Sequence, residues 1–213
     1  IDTLLEANKV LVNEMSSTLF TIARDVKIQL EFSPQVASYR LVGYENRMLN
    51  REDFNNDKVD AGDIGAGHSV TAVYEITLAN AKGGLLDPLR YQQESRSQNK
   101  HSNELAYLKL RYKLPGETAS KLITQPIYRS QILDSLDDAS ARLRWSASVA
   151  GFSQLLRGST DIGDLNYGDI LTLARSSKQA DPHGYRGEFI QLLSLAQSLQ
   201  GTYAKNHSQS TVN

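Results

Sequence analysis

The chain has 213 residues, 40% of them hydrophobic and 22% charged, with a formal net charge of -1. That length buries a useful core in one large or two small domains, and the balanced charge excludes a basic field that would draw the chain to nucleic acid or to an anionic membrane. No apolar run approaches the roughly 18 residues that span a bilayer, and the lack of cysteine excludes disulfides and thiolate metal sites.

Residues 2–15 read as a helix, because Leu4, Leu5, Ala7, Val10, Leu11 and Met15 recur at helical spacing behind a candidate N-cap at Asp2. No signal peptide precedes it, and Ile1 is not a natural start, so a fragment of a longer protein is expected. Thr18 to Phe32 is rich in β-branched and aromatic residues, and within it the period falls to two. Val26, Ile28, Leu30 and Phe32 alternate with Lys27, Gln29 and Glu31, which predicts a strand with one buried and one wet face, ended by Ser33-Pro34. Further strands are predicted over 38–45, over 68–78 (buried on much of both faces), over 105–114 and over 121–127. Strands this dense, joined without helices, predict an antiparallel, sandwich-like arrangement.

Two stretches between strands exceed about 15 residues, a length that is usually functional or disordered. Asn46 to Gly67 holds Asp53, Asn55, Asp57, Asp60 and Asp63 with three closing glycines; Lys82 to Asn103 is polar, with the run Gln92 to Ser102, and reads as a mobile loop by composition. Beyond Ser130 the period turns helical. Asp134 or Ser135 caps a helix through Leu136, Ala139, Leu143, Ala147, Ala150 and Leu155, widened by Phe152 and Leu156 and stopped by Gly158. Asn166 to Ser177 forms a second helix with Ile170, Leu173 and Ala174 inward. Asp181 as N-cap and Pro182 at the first position open a third, carrying Tyr185, Phe189, Leu192, Leu193, Ala196 and Leu199 and ended by Gly201. The class is therefore α+β: one helix (1–16), a β-rich domain (17–130), about three helices (131–201) and a flexible tail (202–213).

The motifs that could carry chemistry are incomplete. Asp53-Phe54-Asn55-Asn56-Asp57 offers the first three ligand positions of a calcium loop, Asp53, Asn55 and Asp57. Lys58 stands where the turn needs glycine, and Ile64 where a bidentate Glu belongs. A calcium- or small-ligand-binding loop over Asn46–Gly67 is thus the alternative to a solvated acidic loop. Gly62-Asp63-Ile64-Gly65-Ala66-Gly67 lacks the phosphate-loop lysine, so its glycines read as positive-φ positions or as a close approach to another backbone. Gly67-His68-Ser69-Val70-Thr71 and Gly151-Phe152-Ser153 miss the strand-turn-helix setting of a nucleophile elbow. His68, His101, His183 and His207 share no metal-ligand spacing. Trp145 and the tyrosines read as core or interface.

Several strings carry a family resemblance. Thr21-Ile22-Ala23 and Asp25-Val26-Lys27-Ile28-Gln29, then Tyr39-Arg40-Leu41-Val42-Gly43-Tyr44-Glu45-Asn46-Arg47, Asp60 through His68, Val70 through Ile76, Phe152 through Gly158 and Asp181-Pro182-His183-Gly184-Tyr185-Arg186 resemble the C-terminal half of bacterial YfbK-type von Willebrand factor A (VWA) proteins. The resemblance implies that 1–16 is the last helix of a VWA domain. That domain would bind a divalent cation, Mg or Ca, through an Asp-x-Ser-x-Ser motif that does not occur in these residues. It implies no catalytic residues and no cofactor here, a protein partner, and a periplasmic or outer-membrane-associated, lipoprotein-like home. Helix 2–15, parted from its own sheet, is expected to be detached, swapped or packed on a neighbouring chain, a route to self-association.

Overall fold

A computed structural model describes Ala7 and residues 20–43, 51–79, 101–159 and 163–209, with backbone alone for Arg51 and 201–209. The helix expected over 2–15 lies outside the described residues except for Ala7, which is helical. Most of the polar stretch 82–103 also lies outside them. The chain divides into two compact units, Ile1–Ile132 and Leu133–Asn213.

Among the described residues the first unit holds six strands: β1 (Thr21–Phe32), β2 (Val36–Val42), β3 (Gly62–Gly65), β4 (Val73–Leu78), β5 (Glu104–Lys113) and β6 (Lys121–Tyr128). All pair antiparallel, in a four-stranded sheet of order β3-β1-β5-β6 and a two-stranded sheet of β2 and β4. With the helices of the second unit, the class is α+β. Long β1 and β5 form the centre, in a register that sets Lys27 opposite Arg111, Leu30 opposite Leu108 and Phe32 opposite Ala106. Leu105 and Ala106 are buried. At the far end of β1 the Phe32 ring meets Tyr39 at 4.4 Å and Tyr74 at 5.7 Å, packing that tilted and edge-on aromatic pairs favour.

The structure corrects three strand expectations. Strand β1 does not keep one wet and one dry face: Ile28 is 49% exposed while Lys27 is 3% exposed. A bulge shifts the register between Arg24 and Lys27, with Asp25 at φ +50°. The register from Lys27 to Phe32 is regular; Lys27 is buried because the loop after β2 lies over its face of the sheet and offers the carbonyls of Asp53 and Asn56 to its ammonium. The strand expected from His68 begins only at Val73, and Val70 is exposed. Its ladder partner β2 ends where Val42 pairs with Val73, because Gly43 turns away at φ +81°. Residues of β4 are half-buried with Glu75 exposed, so burial on both faces is not realised. The close approach to another backbone expected of the glycine-rich stretch is met, since Gly62–Gly65 forms a short strand along β1.

Among the described residues the second unit holds three α-helices, α1 (Ala141–Leu156), α2 (Tyr167–Ser176) and α3 (Tyr185–Gln209). Ile170, Leu171, Ala174 and Leu193 form its core, with Trp145, Phe152, Leu155, Tyr167, Phe189 and Ile190 packed around it. Gly151 lets α1 and α2 approach: a Cβ there would sit 3.1 Å from Ile170 Cδ1. Ser140, which the sequence reading did not single out, caps α1 by accepting from the Leu143 N–H at 3.2 Å. Ser135 caps only a 3-10 turn over Leu136–Asp138, so α1 starts later than expected, and Leu136, Leu143 and Leu156 are exposed rather than inward. Gly158 does stop it, at φ +65°, with Ser159 N–H bonding Gln154 O and Gly158 N–H bonding Leu155 O, the paired closure that a left-handed C-terminal glycine allows. Asn166 caps α2 through the Gly168 and Asp169 amides. Pro182 is not in α3; it lies in a turn closed by Gly184 N–H to Asp181 O. Gly201 does not end α3, whose backbone runs on to Gln209 through the expected tail, at the modest cost of about 1 kcal/mol that glycine adds inside a helix.

Candidate functional site

The densest polar cluster grows from the β1 bulge and the loop 51–63. The bulge turns the Asp25 N–H onto Asp63 Oδ1 (3.2 Å), while Asp25 Oδ1 accepts from the Ala61 N–H (3.4 Å). Lys113, at the end of β5, donates to Asp25 Oδ2 at 2.6 Å and to the Asp57 carbonyl at 2.8 Å. Its ammonium holds the Asp25 carboxyl below the usual carboxylate range, against a burial that pushes it up. Lys27 reaches under the loop. Its Nζ donates to the carbonyls of Asp53, at 3.2 Å, and Asn56. Arg111 donates to Ser120 Oγ (2.8 Å) and Asn55 Oδ1 (3.1 Å), and its guanidinium covers the buried Phe54 ring at 5.6 Å. Asp57 Oδ2 takes the Ser120 N–H at 3.5 Å, and contacts with Ser120 lower its carboxyl.

These contacts fix what Asp53, Asn55 and Asp57 can do. Asp53 turns a backbone carbonyl to Lys27, Asn55 turns its amide oxygen to Arg111, and Asp57 is shared between Ser120 and Lys113. A calcium ion needs six to eight oxygens around one point. Here three positive side chains, Lys27, Arg111 and Lys113, stand among those oxygens, and a bound cation would be repelled by each. Among the described residues no group of three or more His, Asp or Glu could hold a metal ion. Sequence reasoning placed the acidic residues and set Lys27 on a wet face, apart from them, without linking Arg111 or Lys113 to the loop. The available signal was charge: Lys109, Arg111 and Lys113 on one parity of β5, and an Asp-rich loop to receive them.

The other candidates fare as follows. Gly67-His68-Ser69-Val70-Thr71 is an exposed turn with no helix after it, and Ser153 in α1 spends its hydroxyl on the Ala150 carbonyl at 2.8 Å. His101 Nδ1 pairs with Glu104 Oε1 at 2.8 Å, and His183 stacks on Tyr185 with ring centroids 5.6 Å apart. An open depression of about 390 Å³ lies beside Phe32, Pro34 and Ala106, with Glu31 and Glu104 at its sides. Both carboxylates are partnered, Glu31 by Lys109 at 3.2 Å and Glu104 by His101. In the helical unit, Asp181 accepts the Gly187 and Arg186 amides at 2.8 and 3.2 Å. Burial pushes its carboxyl up, but those amides and Lys178 pull it further down. Arg186 stacks over Trp145 at 4.8 Å and donates to Lys178 O. This arrangement ties the start of α3 to α1. Among the described residues no helix is long and apolar enough to cross a membrane.

Comparison with known proteins locates the chain. The family described as "Uncharacterized protein YfbK, C-terminal" matches residues 17–199. The chain belongs to this family. The Escherichia coli (strain K12) relative described as "Uncharacterized protein YfbK" is 44% identical over 198 residues, which cover 92% of this chain and 33% of the relative. The chain thus spans about a third of the length of the curated relative it matches. No solved structure matches it.

Proposed function

We propose that the chain is a non-catalytic structural and protein-interaction module, working beside a VWA domain in a bacterial envelope protein. The observation that carries this reading is the use of the polar cluster. Lys27, Arg111 and Lys113 direct their donors to Asp25, Asn55, Ser120 and the carbonyls of residues 53, 56 and 57, so the cluster ties a loop to a sheet. The YfbK resemblance supports helix 2–15 as the last VWA helix. In this reading it couples a cation-dependent binding site in that domain to the β-rich unit as a two-state element. The partner is a protein, since a net charge of -1 gives nucleic acid no purchase.

The test uses the intact protein. Ligand affinity is measured with divalent cation and with chelator, with and without a disulfide locking helix 2–15. The reading expects the lock to abolish the cation dependence; equal behaviour of locked and free protein removes the coupling. Esterase, phosphatase or peptidase turnover that is lost on Ser69→Ala or His68→Ala would overturn the non-catalytic assignment. Fractionation of cells expressing the full-length protein tests the envelope placement.

A further inference from the structure

Helix α3 has two apolar faces. Phe189, Ile190 and Leu193 pack into the helical core, with Leu193 fully buried. Further round the helix Leu192, Leu195 and Leu199 are 52%, 56% and 56% exposed. Their spacing of three and four residues lines them along one side, as in the seam of paired helices. From Phe189 to Tyr203 the sequence has no Asp, Glu, Lys, Arg or His. A charged partner surface would find no counter-charge on this stretch and would strand its own charges on docking. An identical uncharged stripe meets neither penalty. The stripe is also nearly symmetric about its middle leucine, the self-complementarity that a two-fold contact demands.

We propose that α3 docks antiparallel on α3 of a second copy of the chain, with Leu192 of one copy against Leu199 of the other and the two Leu195 side chains meeting near the axis. The contact stands independently of any other protein the β-rich unit binds. Three leucines a side make a patch below the size of standard interfaces, so the dimer is weak and fills only at high concentration.

Sedimentation equilibrium from low-micromolar to near-millimolar chain reads the mass directly. The expected result is a rise from one chain mass towards two. Leu195→Glu sets two carboxylates face to face and should hold the mass at one throughout. Because Leu195 is exposed in the monomer, this variant keeps the parent circular dichroism spectrum. A parent that stays monomeric at every concentration, or a dimer indifferent to Leu195→Glu, overturns the proposal. The absence of cysteine gives a second readout. Under mild oxidation Leu195→Cys should join to itself, while Thr172→Cys, exposed on α2, should not. In a mixture Leu192→Cys should join Leu199→Cys, with neither joining to itself. Equal joining at positions 172 and 195, or self-joining of Leu192→Cys, overturns the antiparallel contact.

Discussion

Replacing Lys27 by methionine removes the ammonium while keeping most of the stem that fills its place under the loop. Lys27 is 3% exposed and gives its donors to the carbonyls of Asp53 and Asn56. Each charge-assisted bond contributes about 1.5–3 kcal/mol. Against this stands the desolvation of the ammonium, several kcal/mol, which methionine does not suffer. The two carbonyls are left without their donor, and the nearby exposed loop lets water recover part of the loss. The net expectation is a destabilisation of about 2 kcal/mol, or roughly 8 °C in the melting temperature of a domain this size. Thermal and urea unfolding followed by circular dichroism measure the loss, and amide exchange at residues 51–65 localises it. A Lys27→Met chain as stable as the parent, with unchanged exchange in that loop, would refute the argument that this ammonium holds the loop down.

Other outcomes follow from the same contacts. Asp25 is held below the ordinary carboxylate value of about 3.9, so the stability it adds is present above that pH and is lost as pH falls through its lower folded value. Asp25→Asn should therefore lower stability at neutral pH and flatten the acid limb of a stability-against-pH curve below about pH 4. Ser140→Ala should cost about 1 kcal/mol in urea unfolding, and Ser135→Ala clearly less, because Ser140 caps a full α-helix and Ser135 a single turn. Gly151→Val should cost about 1–3 kcal/mol by forcing the Ile170 and Leu165 side chains apart. Gly151→Ala should be near neutral, since its helix propensity gain of about 1 kcal/mol offsets a milder clash.

What the sequence disclosed, and what it hid, follows from how local each cause is. Strands β1 and β5 were legible because apolar and polar residues alternate over 26–32 and 108–113, and Ser33-Pro34 and Pro115-Gly116 follow their ends. Helix α2 was legible because Asn166 caps it and Ile170 and Ala174 recur one turn apart. Gly158 announced its own left-handed turn. The inward burial of Lys27 was not legible, because it depends on loop carbonyls 26 and 29 residues away. The start of β4 was hidden for a similar reason: Val70 and Ala72 have the right residue types, but a strand extends only as far as its partner, and β2 stops at Val42. In α1 the alternation of alanine and leucine suggested one face, whereas the bulk of Trp145 and Phe152 decides which side meets Phe189, at 5.2 and 5.5 Å. The acidic loop was found as a loop and is exposed over most of its described residues, but its tie to the sheet was hidden because its partners lie on strands distant in sequence.

The central claim is that this loop is held by the protein's own cations and not by a bound ion or small ligand. The most direct measurement is the melting temperature of the chain over rising calcium at constant ionic strength, since a ligand that binds only the folded state must raise it. The account predicts a flat line for the parent and for Asp57→Ala alike. A rise with calcium that disappears in Asp57→Ala would contradict it.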